Sequence, residues 1–304
     1  MNQAVLTPEI QAADDAGDAA QPTRPQSFWR NFASNNKVGT AAIIVFFAIL
    51  LLAFIGPFFV TGDNDRSRNV FDTPSAENWL GTDYMGRDVW YQIVHGGGSL
   101  LIVATSAAIL STAISVVFGA LAAMFGGKFD VVVLTITDVF LTVPTIILLG
   151  VLAVSVRLNS PLLLALILAV TGWPTLLLAV RSQVLSLKER EYIEAARMLD
   201  LGTPRILFRE VLPNMMSYIV INFVGGMTGA IYGQVILYFL GLVSLAGNNW
   251  GLMIQQGYAQ GALFFPDAMW YIMSPIFMIC VLQLSLVLIS RSLEDVFNPR
   301  LRES

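Results

Sequence analysis

Charge is what this sequence has least of. Of its 304 residues only 12% are Asp, Glu, Lys or Arg, whereas 56% are hydrophobic. Soluble domains carry about a quarter charged residues, so the deficit argues for a membrane protein before any segment is inspected. Cysteine is nearly absent as well. Cys280 cannot form an internal disulfide, and within its apolar run it reads as a small membrane-buried hydrophobe. The one histidine, His95, has no companion at metal-ligand spacing and reads as a membrane-interface residue. No Ser/His/Asp or Cys/His set can be assembled. A phosphate-cradling loop is missing too. Gly96-Gly97-Gly98-Ser99 lacks the Gly-Lys-Ser/Thr that would follow, and reads as a hinge or a close-packed helix start. The chain is therefore expected to be no enzyme, to bind no metal or cofactor itself, and to have no nucleic-acid partner.

Long apolar runs are what is there. About twenty residues at 1.5 Å each reach the roughly 30 Å of a hydrocarbon core. Runs of that size are predicted at about 39–60, 98–125, 131–155, 160–182, 216–242 and 269–290. The expected fold is an all-α integral membrane protein with six transmembrane helices. Residues 1–38 read as a cytoplasmic tail, disordered over about the first 26, with Phe28 and Trp29 beside Arg24, Arg30 and Lys37 as an interfacial segment. The tail does not read as a signal peptide, because the first apolar run starts too late and is too long. Polar stretches fall at 61–97, 183–214 and 243–268, and a second tail at 291–304. The five later spans and the 183–214 loop form a core over 98–290.

Six spans put both termini on one side. Thirteen of the seventeen Lys and Arg residues lie on that side; only Arg66, Arg68, Arg87 and Arg157 lie on the other. The bias predicts cytoplasmic termini and a cytoplasmic 183–214 loop.

That loop is dense in charge from Ser186 to Asn214, yet it also carries Tyr192, Ile193, Leu199, Ile206, Leu207 and Phe208, an apolar set expected to be exposed. Ser186-Leu-Lys-Glu189 is a capping box, predicting a helix from there to about Leu199. Gly202 is expected to supply a positive-φ turn, Thr203 to cap a second helix with Pro204 in its first position, and Pro213 to end it. Two short helices with such a face suit a soluble partner. The plain alternative is an amphipathic linker on the membrane surface, although its arginines are interleaved with acids rather than gathered as anionic lipid prefers.

Glu194-Ala195-Ala196, with Leu212-Pro213 eighteen residues on, resembles the EAA loop of permeases in ATP-driven (ABC) importers. Gly172 to Leu199, Leu80 to Val89 (LGTDYMGRDV), Phe239 to Leu242 (FLGL), Asn249 to Met253 (NWGLM) and Asn298 to Arg302 (NPRLR) are similar to the dipeptide/oligopeptide branch, specifically its C-type subunit. The resemblance implies that Glu194, Ala195, Ala196, Arg197, Asp200, Gly202, Ile206, Leu207, Phe208, Leu212 and Pro213 belong to a coupling loop seated in a cytoplasmic ATPase. It implies a homologous second permease, two ATPase subunits or domains that use ATP and Mg, and an extracytoplasmic substrate-binding protein. It also implies the cytoplasmic (inner) membrane of a bacterium or archaeon, with lipid around the chain. One departure stands out. The family usually has glycine six residues after the motif glutamate, and here that residue is Asp200.

Gly225, Gly229 and Gly233 form a small-residue stripe expected to admit a closely packed helix, of this chain or another. Asn222, Thr228, Gln234 and Gln283 are candidates for lining the path, with interhelical hydrogen bonding as the alternative. Pro144 and Pro174 are candidate kinks. Outside, the 61–97 loop holds Asp83, Arg87 and Asp88, which either pair locally or meet the binding protein. The 243–268 loop is expected to present Trp250, Phe264 and Phe265. Peptide is the first substrate expectation. Short oligosaccharides and nickel chelates, carried by the same branch, are alternatives. A proton-coupled secondary transporter is the alternative of another class, with Asp138 as its one ionisable candidate within a span.

Overall fold

Helix accounts for most of the chain in the computed structural model, which describes residues 36–61, 69–156, 158–243 and 247–297. The helices are α1 (Lys37–Phe54), α2 (Val89–Phe125), α3 (Gly127–Thr142), α4 (Thr145–Val156), α5 (Pro161–Leu187), α6 (Glu191–Met198), α7 (Met216–Phe239), α8 (Trp250–Ala259) and α9 (Met269–Phe297), with single turns between some of them. Among the described residues there is no strand, only the isolated bridges Thr82–Asp88 and Leu158–Val243. Among the described residues five helices are long and apolar enough to cross a membrane, giving up to six spans if the bent pair α3 and α4 counts as one.

Small residues set the packing. α2 and α5 lie so close that a Cβ on Gly119 would stand 2.9 Å from the Leu177 carbonyl oxygen. Where lipid is as apolar as the side chains, such close approach is the main source of helix association. α7 packs on this pair through Val224, Met227 and Ile231, and α9 adds Leu282 and Leu286 to the same core. α1 lies outside, tied to the far end of α9 by Asn36, whose Nδ2 donates to Ser292 Oγ at 2.7 Å.

Several expected boundaries shift. α2 starts at Val89, nine residues before the expected 98, so the 61–97 stretch is not loop throughout. Asp88 caps it, accepting from Trp90 N at 3.0 Å. Its 37 residues extend about 55 Å, so α2 tilts or projects past the hydrocarbon. The glycine run therefore lies inside α2, at its eighth to tenth residues, and not at the helix start. It is close-packed there: a Cβ on Gly97 would lie 2.8 Å from Trp250 Cζ2 and one on Gly96 3.1 Å from Trp250 Cδ1. The third span is not one helix. α3 and α4 meet at 91°, because Val143 is extended (ψ 127°) before Pro144, as the residue ahead of a proline prefers. Pro174, by contrast, sits inside a continuous α5. α5 runs to Leu187 and α9 to Phe297, so residues 183–187 and 291–297 are helical extensions of spans rather than loop or tail. Cys280 lies on the apolar span α9, with its side chain exposed from the bundle. The tail through Asn35 and the NPRLR motif lie outside the described residues.

Candidate functional site

The loop between α5 and α7 is folded tightly. α5 continues through Ser186, so the expected capping box caps nothing. α6 starts after Arg190, in extended backbone and without a side-chain cap. Glu191 and Glu194 in its first turn and Arg197 in its last complement the helix dipole.

Its C-terminus resolves the glycine question. Asp200 N donates to Arg197 O at 2.9 Å and Leu201 N to Ala196 O at 3.3 Å, the paired bonds of a Schellman motif. The residue at the centre of that motif needs positive φ, and Asp200 supplies it at 54°. Gly202, expected to take over the turn, has φ −58° and instead caps the turn Thr203–Ile206. Thr203 is thus the first residue of that turn and not its cap. Leu207–Val211 then widens into a π-turn ahead of Pro213, which has no N–H to give the Arg209 carbonyl. The segment does not end at Pro213. It runs through Asn214 and, after Met215, into α7.

Half of the expected apolar face is core. Ile193, Ile206 and Leu207 are buried with Ala196, Val211 and Met215 against Ala120 and Ala123 of α2 and Leu176, Val180 and Val184 of α5. The side chains left outside are Met198 (80% exposed), Leu199 (75%) and Phe208 (67%), with Tyr192 partly so. Glu194, Ala195, Arg197, Asp200, Gly202 and Pro213 are exposed, and Leu212 is half-buried. The unit is thus welded to the ends of α2 and α5 on one side and open on the other.

A second feature is a cavity of about 440 Å³ walled by α2, α4, α5 and α7. Asn222 lines it, as do Gly225, Gly229 and Gly233. A Cβ on Gly225 or Gly229 would meet nothing within 4 Å, so among the described residues no helix packs closely on those two, whereas one on Gly233 would meet Leu168 at 2.7 Å. The other polar candidates lie elsewhere. Gln283 Nε2 donates to the Thr228 carbonyl at 3.1 Å, a bond between α9 and α7. Gln234 is fully buried, and neither of its amide atoms has a partner. Ser111, Thr145, Thr171 and Thr175 line the cavity and were not singled out from sequence. Thr171 and Thr175, four apart on one helix face, were the available signal.

On the opposite end of α2, Asp83 is fully buried. It accepts from Met85 N, Arg87 N, Arg87 Nε and Gln92 Nε2 at 2.8, 2.9, 2.7 and 3.1 Å. Local pairing therefore accounts for Asp83 and Arg87. Burial pulls the Arg87 guanidinium down, but the hydrogen bond and charge of Asp83 more than offset this and hold it above its ordinary value. Burial pushes the Asp88 carboxyl above the usual aspartate value, against the Trp90 and Tyr91 N–H groups that lower it. His95 stacks on Tyr91 with ring centroids 3.8 Å apart, and its Nδ1 lies 2.9 Å from the Tyr91 carbonyl. Trp250 is not presented outward. It is fully buried and donates Nε1 to the Ile93 carbonyl at 2.8 Å, while Phe264 and Phe265 are exposed. No group of three or more His, Cys, Asp or Glu suited to a metal occurs among the described residues.

The sequence is similar to those of known proteins. Residues 115–303 match the family described as "Binding-protein-dependent transport system inner membrane component". The chain is 30% identical over 300 residues to the oligopeptide transport system permease protein OppC of Bacillus subtilis, covering 96% of each. It is 30% identical to the dipeptide transport system permease protein DppC of the same organism, covering 98% of this chain and 92% of that one. DppC of Alkalihalophilus pseudofirmus is likewise 30% identical, over 98% and 97%.

Proposed function

The chain belongs to the family of binding-protein-dependent transport system inner membrane components, and on that premise we propose that it is a permease subunit of an ATP-driven peptide importer, forming half of the translocation path. The observation that carries this reading is likeness to oligopeptide and dipeptide permeases over 96% or more of the chain. Neither the oligosaccharide and nickel-chelate alternatives nor proton-coupled transport is favoured by those relatives.

In this reading a homologous second permease closes the path, and a binding protein delivers peptide to the outer surface. Two ATPase subunits or domains use ATP and Mg; this chain contributes no catalytic group and binds no cofactor. The Lys and Arg bias supports cytoplasmic termini and a cytoplasmic Glu191–Val211 unit. Met198, Leu199 and Phe208, rimmed by Glu194 and Arg197, would sit against the ATPase. An apolar centre with a charged rim is the common anatomy of a specific protein contact. Closure of the ATPases on ATP would push this unit, and the core it shares with α2 and α5 would carry the motion into the bundle. The cavity with its bare Gly225 and Gly229 would form this chain's share of the path, in the membrane of a bacterium or archaeon.

Reconstitution of the complete complex in liposomes tests the reading. Short peptides should be taken up only with ATP and should raise ATP hydrolysis. Stimulation by oligosaccharides or nickel chelates and not by peptides would overturn the substrate, and uptake driven by a proton gradient alone would overturn the class.

A further inference from the structure

Two polar ties leave the root of the Glu191–Val211 unit and reach the turn between α2 and α3. Arg181, near the end of α5, holds Asp130 in the first turn of α3 at both oxygens: Nε to Oδ1 and Nη2 to Oδ2, each 2.6 Å. Both side chains are mostly covered, at 23% and 17% exposure. Lys188, which ends α5, donates Nζ to the Ala123 carbonyl in the last turn of α2 at 3.2 Å. The second tie joins helices that are already welded. The first does not.

α3 is loosely held. Of its 16 residues only Val133 and Thr137 are buried. Its covalent link to α2 is Gly126-Gly127, both at positive φ (62° and 58°), and a Cβ on either would meet nothing within 4 Å. Such a joint pivots and does not push. The remaining packing is slight: Val133 in a cluster with Ala122 of α2 and Trp173 and Leu177 of α5, Phe140 edge-on to Trp173 at 5.3 Å, and Phe129 edge-on to Phe125 of α2 at 6.3 Å. At its other end α3 meets the 91° break, beyond which Thr145 and Ile146 of α4 form part of the cavity wall.

We infer that the Asp130–Arg181 pair is a positioning contact that makes the bent span follow α5, so that displacement of the coupling unit reaches the cavity wall instead of being absorbed at Gly126-Gly127. A two-point arginine–carboxylate contact fixes direction as well as distance, which a single apolar contact does not. The inference rests on the importer reading above.

The test uses the complete reconstituted complex with cysteine-free partner subunits and two variants. Asp130→Asn keeps the shape and removes the charge; Asp130→Glu keeps the charge and changes the shape. Uptake of trialanine per ATP hydrolysed is measured beside the distance between nitroxides on native Cys280 and on Val139→Cys, both exposed, with and without a non-hydrolysable ATP analogue. In the wild type the analogue should shift that distance. Asp130→Asn should retain ATP hydrolysis, lose the shift, and lower uptake per ATP by about five- to tenfold, while Asp130→Glu should stay near the wild type in both. Unchanged coupling in Asp130→Asn, or equal losses in both variants, would overturn the inference, the latter marking a purely structural role. A wild-type distance that ignores the nucleotide while uptake still needs ATP would overturn this inference alone, whereas trialanine uptake independent of ATP would overturn the importer reading.

Discussion

Asp200 holds the left-handed backbone (φ 54°) of the turn that closes α6, while Gly202, two residues on, sits at an ordinary φ of −58°. The left-handed conformation costs most L-residues about 1–2 kcal/mol, and Asp tolerates it better than most. Asp200→Gly should therefore leave thermal stability unchanged or raise it by up to about 1 kcal/mol, whereas Asp200→Val should lower it by about 1–2 kcal/mol. Gly202→Ala should be tolerated, since the added Cβ would come no nearer than 3.9 Å, to Pro204 Cδ. Thermal unfolding of the detergent-solubilised protein checks all three.

The two halves of the apolar face should separate by mutation. Met198→Asp and Phe208→Asp change exposed side chains and should leave the fold intact while abolishing co-purification of the ATPases. Ile193→Asp buries a charge in the α2/α5 core and should prevent folding. ATPase retention by the two exposed variants, measured by pull-down from membranes, would remove Met198 and Phe208 from the docking surface.

How much of this was legible in the sequence depends on what each residue packs against. Pro144 and Pro174 look alike as candidate kinks. Pro144 breaks the span because its surroundings are exposed and nothing restrains the extended Val143. Pro174 is buried against α2, where Ser115 Oγ donates to the neighbouring Trp173 carbonyl at 2.8 Å, and the helix continues. The glycine run from Gly96 belongs to the same lesson. Its helix is held by a tryptophan more than 150 positions away, at Trp250, beyond reach of any local signal. The resemblance of the 183–214 segment to an EAA loop was legible because Glu194, Pro213 and the position of Asp200 are matters of spacing. Which of its apolar residues face inward was not, because that is decided by α2 and α5.

Gly97→Ala should be more harmful than a glycine-to-alanine change usually is. Its Cβ would lie 2.8 Å from Trp250 and 3.0 Å from Ala53, and overpacking of this kind costs about 1–3 kcal/mol. Gly229→Ala, with open space around it, should not lower the stability of the isolated chain. Comparing melting temperatures of the two variants decides the matter.

Asp88 gives a pH dependence of known sign. Its folded pKa lies above the ordinary 3.8, so its contribution is most favourable below that value and is lost as pH rises through the raised one. Asp88→Asn keeps a capping oxygen for Trp90 N and removes the charge. Its stability relative to the wild type should therefore improve as pH rises from about 4, the ordinary aspartate value, through the raised one. Asp88→Ala should be weaker by about 1 kcal/mol from loss of the cap. A wild type that gains on Asp88→Asn as pH rises would contradict the assignment.

Gln234 is buried in a membrane span with both amide atoms unpartnered, an arrangement that costs about 1–3 kcal/mol. Gln234→Leu should accordingly stabilise the fold or leave it unchanged. If uptake nevertheless falls at constant expression, the side chain serves transport and not packing.

The right-angled break at Val143–Pro144 bears on biogenesis. Hydrocarbon offers no hydrogen bonds to the backbone groups freed where α3 stops and α4 starts, so lipid cannot cover that corner. Protein or water must. A copy made without its partners would keep the corner uncovered, and the ratio in which the subunits are synthesised should then set how long each copy survives in the membrane.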